Sequence, residues 1–242
     1  MLQPTQWNAN VLIEWRPILT FERRRLALLD WLEEEVQVVR VLDDTSGIGV
    51  AVDDPAQRLI IERQRCTVRL SSHQATFEGL GRALQGVFKH MEPSEAWLAS
   101  YRGAWSKELD AESYEDACDK FTRGVVNLPK SDRLTLRDAA CLADVAVDGE
   151  DCQVEYGIVD RRQLHARIRG GVSGMLGFDT PERDDASVAM RSLPNVSMFC
   201  DVRSFTRQPV SDPATTLTGL HEMVERAALL VEALATPIDN VR

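Results

Sequence analysis

The sequence predicts an α+β protein, two pseudo-repeated strand-helix-strands-helix modules in which antiparallel sheet packs against long helices. Three observations predict it. Turn-punctuated β-rich runs fill residues 37–70, apolar residues recur at three and four in residues 77–91 and again in 217–234, and a similar order of elements begins anew after Glu92. The first module takes residues 1–92 and the second 93–242, meeting near Glu92 to Glu95 and sharing one core.

In the first module, Val11 to Trp15 reads as a short strand. Thr20 then caps a helix whose Phe21, Leu28, Leu29, Leu32 and Val36 share a face, with Arg23, Arg24, Glu33 and Glu34 on the other. Gln37 to Asp43, Gly47 to Asp53 and Arg58 to Leu70 follow as an antiparallel meander, separated by Asp-Asp-Thr-Ser-Gly and Asp-Asp-Pro, residues that suit tight turns. Phe77, Leu80, Leu84, Val87, Phe88 and Met91 have the spacing of an amphipathic helix, which Pro93 stops because proline has no N–H to continue the ladder.

The second module opens with an aromatic strand from Trp97 to Leu109. Ser113, with Asp116 three residues on, has the form of a capping box for a helix that turns Phe121 and Val125 to the core. Leu142 to Ile168 alternates as two or three strands that turn near Asp148-Gly149 and Asp160-Arg161, and Asn195 to Phe205 is the last strand. Between them Gly170 to Pro194, rich in Gly, Pro and Asp-Asp, reads as a long loop. Asp212-Pro213 starts the closing helix, whose Leu217, Leu220, Val224, Ala227, Ala228, Val231 and Leu234 form one stripe.

Composition narrows the function. With 242 residues, 44% of them hydrophobic, the chain buries a real core, which argues against disorder. A formal net charge of -10 repels nucleic acid and anionic membrane at long range. Met1 to Ala9 has no positive region leading an apolar run, and no window approaches a bilayer-spanning length, so the expected location is the cytoplasm. Cys66, Cys118, Cys141, Cys152 and Cys200 are odd in number, scattered, and form no C-x-x-C pair, which fits reduced, buried thiols.

Several features bear on chemistry. The run Gly170-Gly171-Val172-Ser173-Gly174-Met175-Leu176-Gly177 has the glycines of a phosphate loop, but no Lys followed by Ser or Thr, and Met175 stands where a nucleophile elbow needs Gly. It reads as a flexible loop or an anion lid. His73, His90, His165 and His221 join no metal motif and read as structural or solvent-facing side chains. Asp54 and Glu62 have the acidic arrangement of restriction-type nucleases, although Gln64 stands at the lysine position. Asp201 and Arg203, two apart on a strand, share a face and read as an ion pair. Trp97, Tyr101 and Trp105, spaced by four, are core packing or a partner-binding surface. Arg58, Arg63, Arg65 and Arg69 are a charged sheet edge, and the one local stripe able to meet phosphates of a nucleic acid.

The pattern Val11-Leu12-Ile13-Glu14 on an early strand, a central helix-strand crossover, Asp201 on a closing strand and His221-Glu222 on the helix after it resembles a bacterial family of conserved hypothetical proteins of about this length. That resemblance assigns no catalytic residue. More distantly, sheet flanked by long helices is similar to SecB-like chaperones, which implies binding to unfolded clients. The expected function is a non-enzymatic protein-binding or assembly component of a bacterial or phage-related complex, or a homo-oligomer, with no cofactor or metal and no membrane partner. The alternative is a metal-dependent hydrolase or nuclease using Asp54 and Glu62.

Overall fold

The computed structural model describes residues 3–36, 38–43, 47–52, 57–70, 78–126, 140–170, 192–205 and 207–241. The chain is α+β. Its strands are β1 (Thr5–Glu14), β2 (Val38–Asp43), β3 (Gly47–Val52), β4 (Gln57–Glu62), β5 (Arg65–Leu70), β6 (Ala96–Glu108), β7 (Ala140–Val147), β8 (Glu150–Asp160), β9 (Val196–Ser204) and β10 (Gln208–Val210). Its described helices are α1 (Phe21–Glu35), α2 (Glu78–Gly86), α3 (Tyr114–Phe121), α4 (Arg161–Gly170) and α5 (Pro213–Asp239), with π-helical turns continuing α2 through Met91 and α3 through Val126. The ten described strands form one sheet in the order β2-β3-β4-β5-β1-β6-β9-β8-β7, and β10 pairs with β6.

Chain order and compactness divide the molecule differently. One compact unit is Ala9–Arg102 with Ser204–Glu225; the other is Met1–Asn8, Gly103–Arg203 and Arg226–Arg242. The divisions fall inside β1, β6 and α5 and at the end of β9, rather than at the Glu92 to Glu95 connection.

In the unit Ala9–Arg102/Ser204–Glu225, one face shared by four strands builds the core, and β3 is buried on both its faces. Val11 and Ile13 of β1, Ile48 and Val50 of β3, Leu59 and Ile61 of β4, and Cys66 and Val68 of β5 are all buried on one face, because side chains alternate along a strand. Phe21, Leu28 and Leu32 of α1 and Leu80 and Leu84 of α2 are the buried faces of their helices. The expected run Arg58 to Leu70 is two strands, folded at Arg63-Gln64 so that Glu62 lies opposite Arg65. Neither turn residue is glycine or left-handed, which is why residue type did not betray it. Thr20 precedes α1 but its hydroxyl makes no cap bond.

The other unit carries its apolar residues on two faces. Phe121 of α3 meets Tyr156 of β8 edge-on at 5.8 Å between ring centres. A second cluster joins Val159, Leu164, Leu193 and Phe199, with Trp7, Ala104 and Ile168 packed against it. Leu164 and Ile168 belong to α4, so residues from Arg161 onward are helical where the sequence reading allowed a third strand. The cause is a reciprocal cap: the Gln163 N–H donates to Asp160 Oδ1 at 2.7 Å, and the Asp160 N–H donates to Gln163 Oε1 at 2.9 Å. At Ser113 half of the expected box forms, Ser113 Oγ accepting from the Asp116 N–H at 3.1 Å, while Asp116 Oδ2 accepts from the Glu112 N–H rather than from Ser113. Lys107 of β6 is 2% exposed and is held by Glu232 at 2.6 Å and Asp239 at 3.8 Å, both on α5. A buried ammonium requires such partners.

The hydroxyl and carboxyl groups before α5 also perform as read. Asp212 Oδ1 accepts from the Thr215 N–H at 2.9 Å, and that bond holds the Asp212 carboxyl below the usual carboxylate range.

Two central strands change phase. In β1 the buried positions are Gln6 and Asn8, then Ala9, Val11 and Ile13; in β6 they are Ala96 and Leu98, then Tyr101, Gly103 and Trp105. The covered face of each strand thus changes along its length. The change separates Trp97 from the two aromatic residues that follow it.

Candidate functional site: a guanidinium-lined cleft and an open sheet edge

The aromatic triplet is not one surface. Tyr101 is 1% and Trp105 0% exposed, so both are core residues, while Trp97 lies half-buried on the far side of the phase change. The arginine stripe also divides. Arg58 and Arg69 are directly opposite across β4 and β5, Arg63 is in the turn, and Arg65 faces Glu62 and Glu14. Asp201 and Arg203 pair at 3.1 Å.

Asp54 lies outside the described residues, as do His73 and most of the Gly170 to Pro194 loop. Glu62 receives hydrogen bonds from Arg65 Nε and, at 3.1 Å, from Arg65 Nη2. Among the described residues no group of three or more His, Cys, Asp or Glu side chains is placed to hold a metal ion. His221 of α5 pairs with Glu225 one turn on, at 3.0 Å. The five cysteines are free thiols, four of them buried.

What the topology does assemble is a cleft of about 390 Å3 in the unit Ala9–Arg102/Ser204–Glu225, lined by Glu14, Trp15, Arg16, Pro17, Gln64, Arg65, Trp97 and Arg207. These residues come from four distant stretches. Adjacency of β4, β5, β1, β6 and β10 in the sheet gathers them. The β4–β5 turn forms a fixed wall: Trp15 donates its backbone N–H to the Gln64 carbonyl at 3.0 Å and its indole N–H to the Arg63 carbonyl at 3.1 Å, and the Ile18 N–H also donates to Arg63 at 2.9 Å.

Each guanidinium is held from one side. Arg16 pairs with Glu95 at 2.6 Å, Arg65 with Glu62, and Arg207 with Glu14 at 3.5 Å. Arg207 also lies over the Trp97 ring, 4.6 Å from its centre, a cation–π contact. The Glu62 hydrogen bond, and then its charge, raise the Arg65 pKa above its ordinary value. Glu95, the anchor of Arg16, has a left-handed backbone with φ of 52°. A non-glycine residue there carries strain of the sort found at binding sites.

The second exposed feature is β7, Ala-Cys-Leu-Ala-Asp-Val-Ala-Val, an edge among the described residues, where its hydrogen-bonded neighbour is β8. None of its side chains is buried, and Leu142 is 68% exposed. Its single charge, Asp144, accepts from Gln153 across the pair at 3.2 Å.

The sequence reading named Arg65, Trp97 and Glu14 separately and missed Trp15, Arg16 and Arg207. No spacing along the chain connects residues 14–17 with 207; only the register of the sheet does.

The described residues define an α+β chain with an arginine-lined cleft and an exposed edge strand. Among known proteins, the chain matches no family model and no curated protein. No described helix is long and apolar enough to cross a membrane.

Proposed function

We propose that this is a non-enzymatic protein-binding or assembly component, a cytoplasmic subunit of a bacterial or phage-related complex, to which a partner protein adds a strand at β7. One observation carries the reading: among the described residues β7 is an edge strand of eight residues, seven of them apolar, with every side chain at least partly exposed. Natural edges are blunted by charge, proline or bulges, because an open ladder recruits another strand. β7 has one charged residue and no proline, and its pairing with β8 runs without a register shift from Ala140 to Val147. Strand addition supplies main-chain hydrogen bonds for affinity and alternate side chains for specificity. The element order supports the accompanying pseudo-repeat: β1, α1, β2 to β5 and α2 are followed by β6, α3, β7 and β8, α4, β9, β10 and α5.

The test is purification of the tagged protein from its native host, beside a Leu142→Lys variant. A partner recovered at fixed stoichiometry with the native chain and lost with Leu142→Lys is the expected result. The variant's stability should stay within about 0.5 kcal/mol, as for exposed positions generally. A partnerless preparation, or recovery that ignores the substitution, overturns the reading.

A further inference from the structure

We propose that the cleft bounded by Glu14, Arg16, Gln64, Arg65, Trp97 and Arg207 is a binding site for a small phosphate monoester with a hydroxyl-bearing organic group. The proposal is independent of the β7 reading.

Charge is the first argument. The chain carries a formal net charge of -10, yet the cleft lining has three arginines against one glutamate, and with Glu62 and Glu95, which pair with Arg65 and Arg16 from outside the lining, the group is charge-balanced. A balanced patch that turns guanidiniums to the cleft repels an anion least in an acidic chain.

Donor geometry is the second. A guanidinium offers five N–H donors in a planar fork that matches phosphate oxygens two at a time. Arg16 spends Nη2 on Glu95, and Arg207 spends Nη2 on Glu14 at the long distance of 3.5 Å. Glu62, Glu95 and the Trp97 ring thus orient the three forks while leaving donors over. Orientation in advance lowers the entropy lost on binding. The carboxylate partners of Arg16 and Arg65 do not line the cleft, so they hold the arginines from behind.

Size and lining are the third. A volume of about 390 Å3 exceeds what an inorganic phosphate fills and lies within the usual range for organic ligands. Trp15, Pro17 and Trp97 supply apolar wall. Glu14 is an acceptor only, and it is compatible with a neighbouring anion when the ligand brings it a donor, which is the role of the hydroxyl. Gln64 can donate and accept beside it. An acidic protein segment fits less well, since single carboxylates cannot engage two forks at once as a phosphate dianion does.

The experiment is calorimetric titration of the full chain at low salt with ribose 5-phosphate, with inorganic phosphate and with ribose. Ribose 5-phosphate should bind saturably at one site, at least about 10-fold tighter than inorganic phosphate, while ribose shows no binding. Affinity should rise between about pH 5 and pH 7.5 as the monoester takes its second charge near pH 6, and fall with added salt. Arg65→Gln and Arg207→Gln should each weaken binding about 10-fold, the loss of a charge-assisted contact, while melting as cooperatively as the native chain. Arg162→Gln on α4 should leave it unchanged. Absence of saturable ribose 5-phosphate binding, equal affinity for inorganic phosphate, or indifference to both cleft substitutions overturns the proposal.

Discussion

The hairpins β4–β5 and β7–β8 are built alike and end differently. Each is an antiparallel pair joined by two residues, in register throughout, and each has apolar residues on both sides of its pleat. In the first, Leu59, Ile61, Cys66 and Val68 are sealed in the core and the turn is tied to Trp15 and Ile18. In the second, β8 buries Cys152, Val154, Tyr156 and Ile158, whereas no residue of β7 is buried. Local sequence makes a hairpin; only a neighbour on the far side makes a strand internal.

The largest expected contrast is chemical. Cys66 on β5 is fully buried, and Cys141 on β7 is half-exposed. In the native protein a thiol reagent should modify Cys141 at least about 100-fold faster than Cys66, which reacts only on opening of its unit. Comparable rates would erase the distinction between the hairpins. Burial also pushes the Cys66 and Cys200 thiols well above their ordinary range, so the folded chain retains protons that the unfolded chain releases above about pH 8.5. Stability is therefore full below that pH and declines as pH rises beyond it. Unfolding free energies measured across the alkaline range should slope downward, and Cys66→Ala should flatten the slope.

Truncation should give the next largest effect. Leu59→Ala, at a site with no exposure, should cost about 3 kcal/mol by denaturant unfolding, and Leu142→Ala less than about 0.5 kcal/mol. A large cost at Leu142 would mean that β7 is covered in the isolated chain. The turns give a smaller contrast. Gly149 has φ of 83° with open space around its Cα, so Gly149→Ala should cost about 1 kcal/mol through backbone strain alone. Gln64→Ala should cost still less, since the turn uses its backbone and not its side chain.

The same contrast explains what could be read from the sequence. Elements announced by periodicity, caps or turns were legible: the α1, α2 and α5 stripes, the Ser113 cap, the Asp148-Gly149 turn and the meander of β-rich runs. The Arg63-Gln64 turn was hidden because neither residue favours a turn by type. The helix at Arg161 was hidden behind an alternation that extended past Asp160, although the Asp160 and Gln163 pair was a cap in plain view. Trp97, Tyr101 and Trp105 looked equivalent because they are evenly spaced by four, and the change of buried positions along β6 decides which of them meets solvent. The cleft was invisible for a different reason. Its residues are joined by strand order, and strand order is a property of the whole sheet.

The interleaving of the two compact units has a consequence for synthesis. The unit that begins at Ala9 lacks Ser204–Glu225 until that stretch has left the ribosome, and its companion waits for Arg226–Arg242. The segment that completes the first unit is therefore made more than a hundred residues after β5. Nascent chains arrested before residue 204 should therefore stay protease-sensitive, and protection should arrive late and for both units together.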